Sequence, residues 1–261
     1  MTLEIAIAAL FGLLFGSFLN VCIFRLPRDL SVAWPGSRCL ECNHRILARD
    51  NIPVLSYLLL GGRCRHCRSY IHWRYPVVEA LTAALFAAGV WKWGPTADAA
   101  KFALFAFLMV GMSFSDLETR LLPDEFTKGG IVAGLLLALV VPLPRGLMML
   151  FLPPEWHRFA GLADAAVGAA FVSGAMWSVG YVYGRIRQRE GLGFGDVKMV
   201  AAIGAFLGLA PALMTVLIGC TGGTLIGLGY VWLAKKDLST YELPFGTFLG
   251  AAALCVAVFL Q

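Results

Sequence analysis

The chain has 261 residues, 59% hydrophobic and 14% charged, with a mean hydropathy of +0.76. A soluble domain carries about 45–50% apolar and about 25% charged residues, which excludes a soluble globular enzyme, and a disordered chain would need the opposite balance. The apolar residues run continuously rather than in alternation, which disfavours a β-barrel, and the net charge of +5 matters through its placement. The expectation is an all-α polytopic membrane protein whose 29 glycines suit close helix packing in lipid.

Residues 5–24 contain no charge and match the roughly 20 residues needed to cross a bilayer. With no basic leading region and no small-residue cleavage site, they read as a first transmembrane helix, not a cleaved signal peptide. A polar segment from Arg25 to Arg74 follows. Pro76 then suits the first turn of a second helix that ends near Trp93, with Glu79 close to its start. Further spans are expected near 99–116, 126–144, 164–184, 197–210, 212–233 and 244–260. Residues 199–234 are free of charge; as one helix they would be ~54 Å long, against a hydrocarbon core of about 30 Å. A turn is therefore expected at Gly208-Leu209-Ala210-Pro211, which makes eight spans in all. Residues 146–158, with Trp156 and two prolines, read as an interfacial loop.

Orientation follows from Lys and Arg placement. With the amino terminus outside, the inner loops hold 17: nine within 25–75, then Arg120, Lys128, Arg185, Arg187, Arg189, Lys198, Lys235 and Lys236. The outer side keeps four, Lys92, Lys101, Arg145 and Arg158. Both termini are thus expected outside and the polar segment in the cytosol. No repeat of 20–50 residues and no low-complexity segment is present, and the glycines are scattered, unlike the inverted repeats of a transporter.

Cys22, Cys220 and Cys255 lie in apolar runs and read as packing thiols. The other four form Cys39-Leu-Glu-Cys42 and Cys64-Arg-His-Cys67, separated by 21 residues. In a cytosolic segment metal binding is favoured over disulfides. Two CxxC pairs offer four thiolates at the corners of a tetrahedron, the arrangement Zn²⁺ prefers. A polar loop of this size can hardly build its own core, and a metal would supply the missing stability. Four sulfurs fill the shell without His66, so the expectation is a structural zinc knuckle with no open position for chemistry.

Acidic side chains at the ends of spans are functional candidates by default. Asp116 closes the third span in Ser113-Phe-Ser-Asp116-Leu-Glu118-Thr-Arg120-Leu-Leu-Pro123-Asp124, and Asp196 opens the sixth in Gly193-Phe-Gly195-Asp196-Val-Lys198. The expected topology puts both on the cytosolic side at similar depth. Two carboxylates brought together beside a low-dielectric medium do not readily both ionise, which leaves an acid and a base sharing one water. That is the requirement of aspartic proteolysis, and Gly193 and Gly195 would let a substrate strand approach the backbone. On the residues alone a plainer reading stands beside it. Asp116, Glu118, Asp124 and Asp196 are then solvated helix ends, Asp196 an N-cap and Asp124 a turn residue. No strand precedes a Gly-rich loop as a Rossmann pattern requires.

Further stretches stand in order with these: Gly16-Ser-Phe-Leu-Asn20-Val, Arg25-Leu-Pro27-Arg, Asn51-Ile-Pro53, Ser56-Tyr57, Gly61-Gly62, Arg74-Tyr-Pro76 with Glu79, and Pro244-Phe-Gly246. With the CxxC pairs, the Asp116–Asp124 segment and the Gly193–Asp196 motif, nearly the whole chain resembles the type IV prepilin peptidases. These are the bifunctional leader peptidases and N-methyltransferases of bacterial pilus and type II secretion systems. The segment ahead of the first CxxC is shorter than in some members, with ten residues between Arg28 and Cys39.

The resemblance implies Asp116 and Asp196 as the active-site aspartates, with Gly193, Gly195, Lys198 and Asp124 in support. It implies cleavage of prepilins or pseudopilins after a glycine that ends a short basic leader, at the cytosolic face of the inner membrane. It further implies methylation of the new amino terminus, often a phenylalanine, with S-adenosylmethionine. Gly62 matches a glycine tied to methylation, and Glu79 stands with it as a cofactor-binding candidate. The expected organisation is a first transmembrane helix over 1–24, a cytosolic zinc-binding and methyltransferase loop over 25–75, and a seven-helix aspartic peptidase region over 76–261. Membrane lipid and the substrate are the expected partners, nucleic acid is not, and oligomeric state is left open. Two other classes compete. A transporter using Asp116 and Asp196 as a proton relay wants acids near mid-membrane and discontinuous helices. A non-enzymatic adaptor docking a partner through its zinc knuckle leaves the acidic pair unexplained.

Overall fold

In the computed structural model the apolar runs are helices: α1 (Thr2–Arg25), α3 (Arg74–Trp93), α4 (Ala97–Thr119), α5 (Asp124–Val140), α6 (His157–Arg187), α7 (Phe194–Leu207), α8 (Leu209–Leu233) and α9 (Phe245–Phe259), with a short α2 (Leu55–Leu59) inside the polar segment. The structure describes residues 1–141, 143, 146, 150, 153–188, 191–233 and 243–259, and only the backbone of His157 and Arg158. Arg145, Arg189, Lys235 and Lys236 of the charge distribution, and most of 142–152, lie outside the described residues. Among the described residues the protein is all-helical, and β-structure is limited to two isolated bridges, Arg38–Arg45 and Arg63–Tyr70.

Four helices, α1, α4, α6 and α8, are long and apolar enough to cross a membrane. The others are shorter or less apolar; at 14 residues, α7 is only ~21 Å long. The chain divides within α4 into two compact units, Met1–Gly111 and Met112–Gln261.

In the first unit α1 packs along α3, and small residues explain how closely. A Cβ on Gly16 would fall 2.7 Å from the Glu79 Cα, and one on Gly12 2.5 Å from the Ala83 Cα, so the two backbones touch. The opposite side of α1 exposes Leu10, Phe11, Leu14 and Phe18, as a lipid-facing surface would.

In the second unit α7 is the central element and buries nine of its residues against α5, α6, α8 and α9. Gly168 of α6 and Gly204 of α7 again allow backbone contact, and Gly134 of α5 makes room for Ala205 and Phe206. The charge-free run breaks where a turn was expected, but at Gly208 alone, which takes φ +84°. Pro211 falls in the first turn of α8, where a missing N–H costs nothing.

Two boundaries differ from the sequence expectation. α5 ends at Val140, yet Val141 and Leu143 stay buried, so apolar character outlasts the helix. α6 begins at His157, straight after a 3₁₀ turn at Pro154–Trp156, so the expected interfacial loop is shorter than 146–158.

Candidate metal centre and aspartate site

The two CxxC pairs fold into the same local shape. In the first, the Cys39 N–H bonds the His44 carbonyl, the Asn43 N–H bonds the Cys39 carbonyl, and Asn43 takes φ +54°. In the second, Cys64 bonds Ser69, Arg68 bonds Cys64, and Arg68 takes φ +59°. Each turn points two thiols inward, and all four Sγ atoms lie within 4.8 Å of one another. A tetrahedral Zn²⁺ with Zn–S bonds of about 2.3 Å needs sulfurs roughly 3.8 Å apart, and the Cys39 and Cys67 sulfurs are 3.8 Å apart. The donor set and its spacing therefore fit zinc. The Ser69 hydroxyl lies 3.0 Å from the Cys67 sulfur and supports the shell from outside. Arg65 grips Asp50 through Nε and Nη2, at 2.9 and 2.6 Å at the closest, and holds the Asp50 carboxyl below the usual carboxylate range.

Between the knuckles, residues 48–62 form a tight structure that rests on α3. Val54 takes φ +59°, uncommon for a β-branched residue, and its N–H donates to Glu79 Oε2 at 2.7 Å. The Ser17 hydroxyl also reaches this carboxylate. Ser56 Oγ accepts from the Ile52 N–H and donates to the Arg49 carbonyl. Gly61 and Gly62 follow α2 with φ of +61° and +65°, and a Cβ on Gly62 would come within 3.1 Å of the Tyr57 ring. Gly62 and Glu79 thus shape one segment from its two ends. Beside it Asn20, 2% exposed, donates to the Tyr75 and Gly16 carbonyls, while its Oδ1 has no hydrogen-bond partner among the described residues. The Glu79 carboxylate, with lone pairs beyond the one that Val54 engages, and the Asn20 carbonyl oxygen can accept from a positively charged or N–H-bearing ligand.

The aspartates belong to the second unit. Asp116 sits in the last turn of α4, 6% exposed, and Asp196 in the first turn of α7, whose N-cap is Gly193. Though 80 residues apart in sequence, they lie within electrostatic range of each other. Asp116 Oδ2 accepts the Thr247 N–H at 2.9 Å and lies 3.1 Å from Thr247 Oγ1. A Cβ on Gly246 would fall 3.2 Å from the Asp116 carboxyl, and one on Gly193 3.2 Å from Asp196 Oδ2. These glycines leave room for the acids themselves, and Gly195 does the same for Leu122.

Asp124 is built differently. At the start of α5 it pairs with Lys128 at 2.7 Å and with Lys198, and through Lys198 it ties α5 to α7. Sequence reasoning stopped at Gly246 and missed Thr247; a hydroxyl residue next to Pro244-Phe-Gly246, where a helix begins, was the available signal.

Two family models match the chain: the bacterial peptidase A24 N-terminal domain over residues 10–93 and the type IV leader peptidase family over residues 102–228. Three relatives bear the name prepilin leader peptidase/N-methyltransferase. The protein of Burkholderia pseudomallei (strain 1026b) is 35% identical, covering 98% of this chain and 86% of its own. That of Aeromonas hydrophila is 34% identical (96% and 89%), and that of Pseudomonas putida 32% identical (95% and 88%). No solved structure matches the chain significantly. Matched by both family models and by relatives over nearly its whole length, the chain belongs to the type IV leader peptidase family.

Proposed function

We propose that the chain is an intramembrane aspartic endopeptidase and N-methyltransferase. It removes the basic leader of a type IV prepilin or pseudopilin after a glycine, at the cytosolic face of the inner membrane. It then methylates the exposed amino terminus. The observation that carries this reading is that Asp116, in the last turn of α4, and Asp196, in the first turn of α7, come within electrostatic range although far apart in sequence. Among the acids of this region, Asp124 is spent on two lysines, which leaves the pair to share a water. A proton relay would want its acids deep in the membrane; these occupy a last and a first helical turn. An adaptor would have no use for them.

The distribution of 17 basic residues against four supports a cytosolic site and outward termini. We take all eight long helices as crossings, α3, α5, α7 and α9 together with the four longer ones. The chain then divides by function into the first helix (1–24), the zinc-bearing methyl-transfer loop (25–75) and the peptidase region (76–261). Cys39, Cys42, Cys64 and Cys67 hold one structural Zn²⁺. S-adenosylmethionine supplies the methyl group when bound. The acceptors Glu79 and Asn20 Oδ1, with the turn at Gly62, suit the positive charge on that donor and the amine it modifies.

The test is cleavage of a peptide with a basic leader, a glycine and an apolar helix by the detergent-solubilised full chain. Because the pair acts as one unit, Asp116→Asn and Asp196→Asn should each lower turnover by about 10⁴-fold or more, nearly as far as the double change. Both variants should still methylate a substrate supplied already cleaved. Parental cleavage by Asp196→Asn would sink the two-aspartate reading.

A further inference from the structure

The two aspartates are unequally furnished. At the start of α9 the backbone N–H of Thr247 points at Asp116 Oδ2, its hydroxyl lies within hydrogen-bond distance of the same oxygen, and Gly246 lies close against this carboxyl. Backbone N–H groups at a helix start are fixed donors reinforced by the helix dipole, and they favour a negatively charged acceptor. The Thr247 hydroxyl has a single proton and two acceptors in reach, Asp116 Oδ2 at 3.1 Å and the Ser113 carbonyl at 2.9 Å. When Asp116 is ionised the proton turns to the carboxylate. When Asp116 carries a proton on Oδ1, Oδ2 becomes a neutral and weaker acceptor, and the hydroxyl turns its proton to the Ser113 carbonyl. Both protonation states are therefore accommodated without moving a helix. Asp196, by contrast, receives no side-chain hydrogen bond among the described residues; the charged groups acting on the pair are Arg120, toward Asp116, and the two acids themselves.

We propose that the first turn of α9, through Thr247 and Gly246, is the positioning element that makes Asp116 the base of the pair and leaves Asp196 as the acid. This rests on the two-aspartate reading above. With Oδ2 anchored, Oδ1 faces the water. The water oxygen attacks the scissile carbonyl carbon while its proton passes to Asp116, and Asp196 gives its proton to the carbonyl oxygen. The resulting gem-diol collapses as Asp116 returns the proton to the leaving nitrogen. The C–N bond breaks and one diol proton goes to Asp196, which restores the starting state.

Steady-state cleavage by the full-length solubilised enzyme tests this. Thr247→Val deletes the hydroxyl at nearly constant shape and should lower kcat about ten- to hundredfold, with KM within about twofold of the parent, as for an interaction made in the transition state. Thr247→Ser should recover most of the loss. Gly246→Ala, whose Cβ would press on the Asp116 carboxyl at 3.2 Å, should also lower kcat. Methylation of a pre-cleaved peptide should stay at the parental level in all three, which shows that the chain is folded. Parental kcat in Thr247→Val overturns the proposal, and so does failure of serine to restore it. Asp116→Asn run alongside separates the two ideas: if it still cuts, the two-aspartate reading itself is lost.

Discussion

Around the four thiols the polypeptide is polar and mostly exposed, and its order comes from turns closed on themselves that bring four sulfurs together. Asp116 is buried and Asp196 half-buried, and order around them comes from helices whose backbones meet at glycine and from a few hydrogen bonds spanning more than a hundred residues. On the proposed four-thiolate assignment, the first kind of site stands or falls with one bound ion. The second has no such single point, and small displacements of a helix end reach the chemistry directly. The two regions should therefore fail separately and in different ways.

The sharpest break removes the metal. Structural zinc binding is worth roughly 10–16 kcal/mol in small zinc peptides, so a Cys39→Ser, Cys42→Ser double variant should purify without zinc, where the parent retains one ion per chain. Proteases should then cut the 25–75 segment readily and methyl transfer should collapse, while leader cleavage declines less. Full zinc content in that variant would remove the four-thiolate assignment.

A converse break leaves the metal alone. In Gly204→Val the added carbons meet the Gly168 backbone of α6, an overpacking that costs about 1–3 kcal/mol and often more between two backbones. Thermal stability and cleavage should both drop, with zinc content and protease resistance of 25–75 unchanged. Gly222→Ala, where a Cβ meets open space, is the matched control and should behave as the parent. Equal losses from both substitutions would mean that glycine contact is not what holds α6 to α7.

The smallest effect probes the segment between the knuckles. Glu79→Ala leaves the Val54 N–H without its acceptor, worth about 1–3 kcal/mol locally, and frees the backbone from its left-handed conformation at φ +59°. Limited proteolysis within 51–62 should accelerate and methyl transfer should fall, with cleavage close to parental. A drop in cleavage as large as that in methylation would show that the two activities are not divided between the regions as proposed.

The same contrast governs what was legible in the sequence. The cysteine centre was readable because its information is local: a CxxC spacing dictates a turn, and two such turns dictate a shell. The break at Gly208 was readable too, because the length of an uncharged run can be set against membrane thickness. Asp116 and Asp196 stood out because carboxylates are scarce in such a chain, although helix periodicity alone did not pair them. Thr247 did not stand out, since its partner lies 131 positions away and nothing near it marks a donor aimed at a carboxylate. Val54 was hidden for another reason. Its side chain argues against a left-handed conformation, and only a contact with α3 makes that conformation hold. The early start of α6 at His157 and the early end of α5 at Val140 show apolar runs and helices parting company by a few residues, since burial and helix formation respond to different neighbours.

The self-closure of the two knuckles bears on how this region can change over time. Each turn is completed by its own backbone, Cys39 to His44 and Cys64 to Ser69, so the proposed ion would fix where the turns meet but not the path of chain between them. Doubling the length of such a path costs only about 0.6 kcal/mol of chain entropy. Insertions and deletions between the turns are thus nearly neutral for folding, provided Val54 can still reach Glu79. The clamp lets the intervening segment be rewritten, and with it whatever that segment recognises, without re-inventing the fold that presents it.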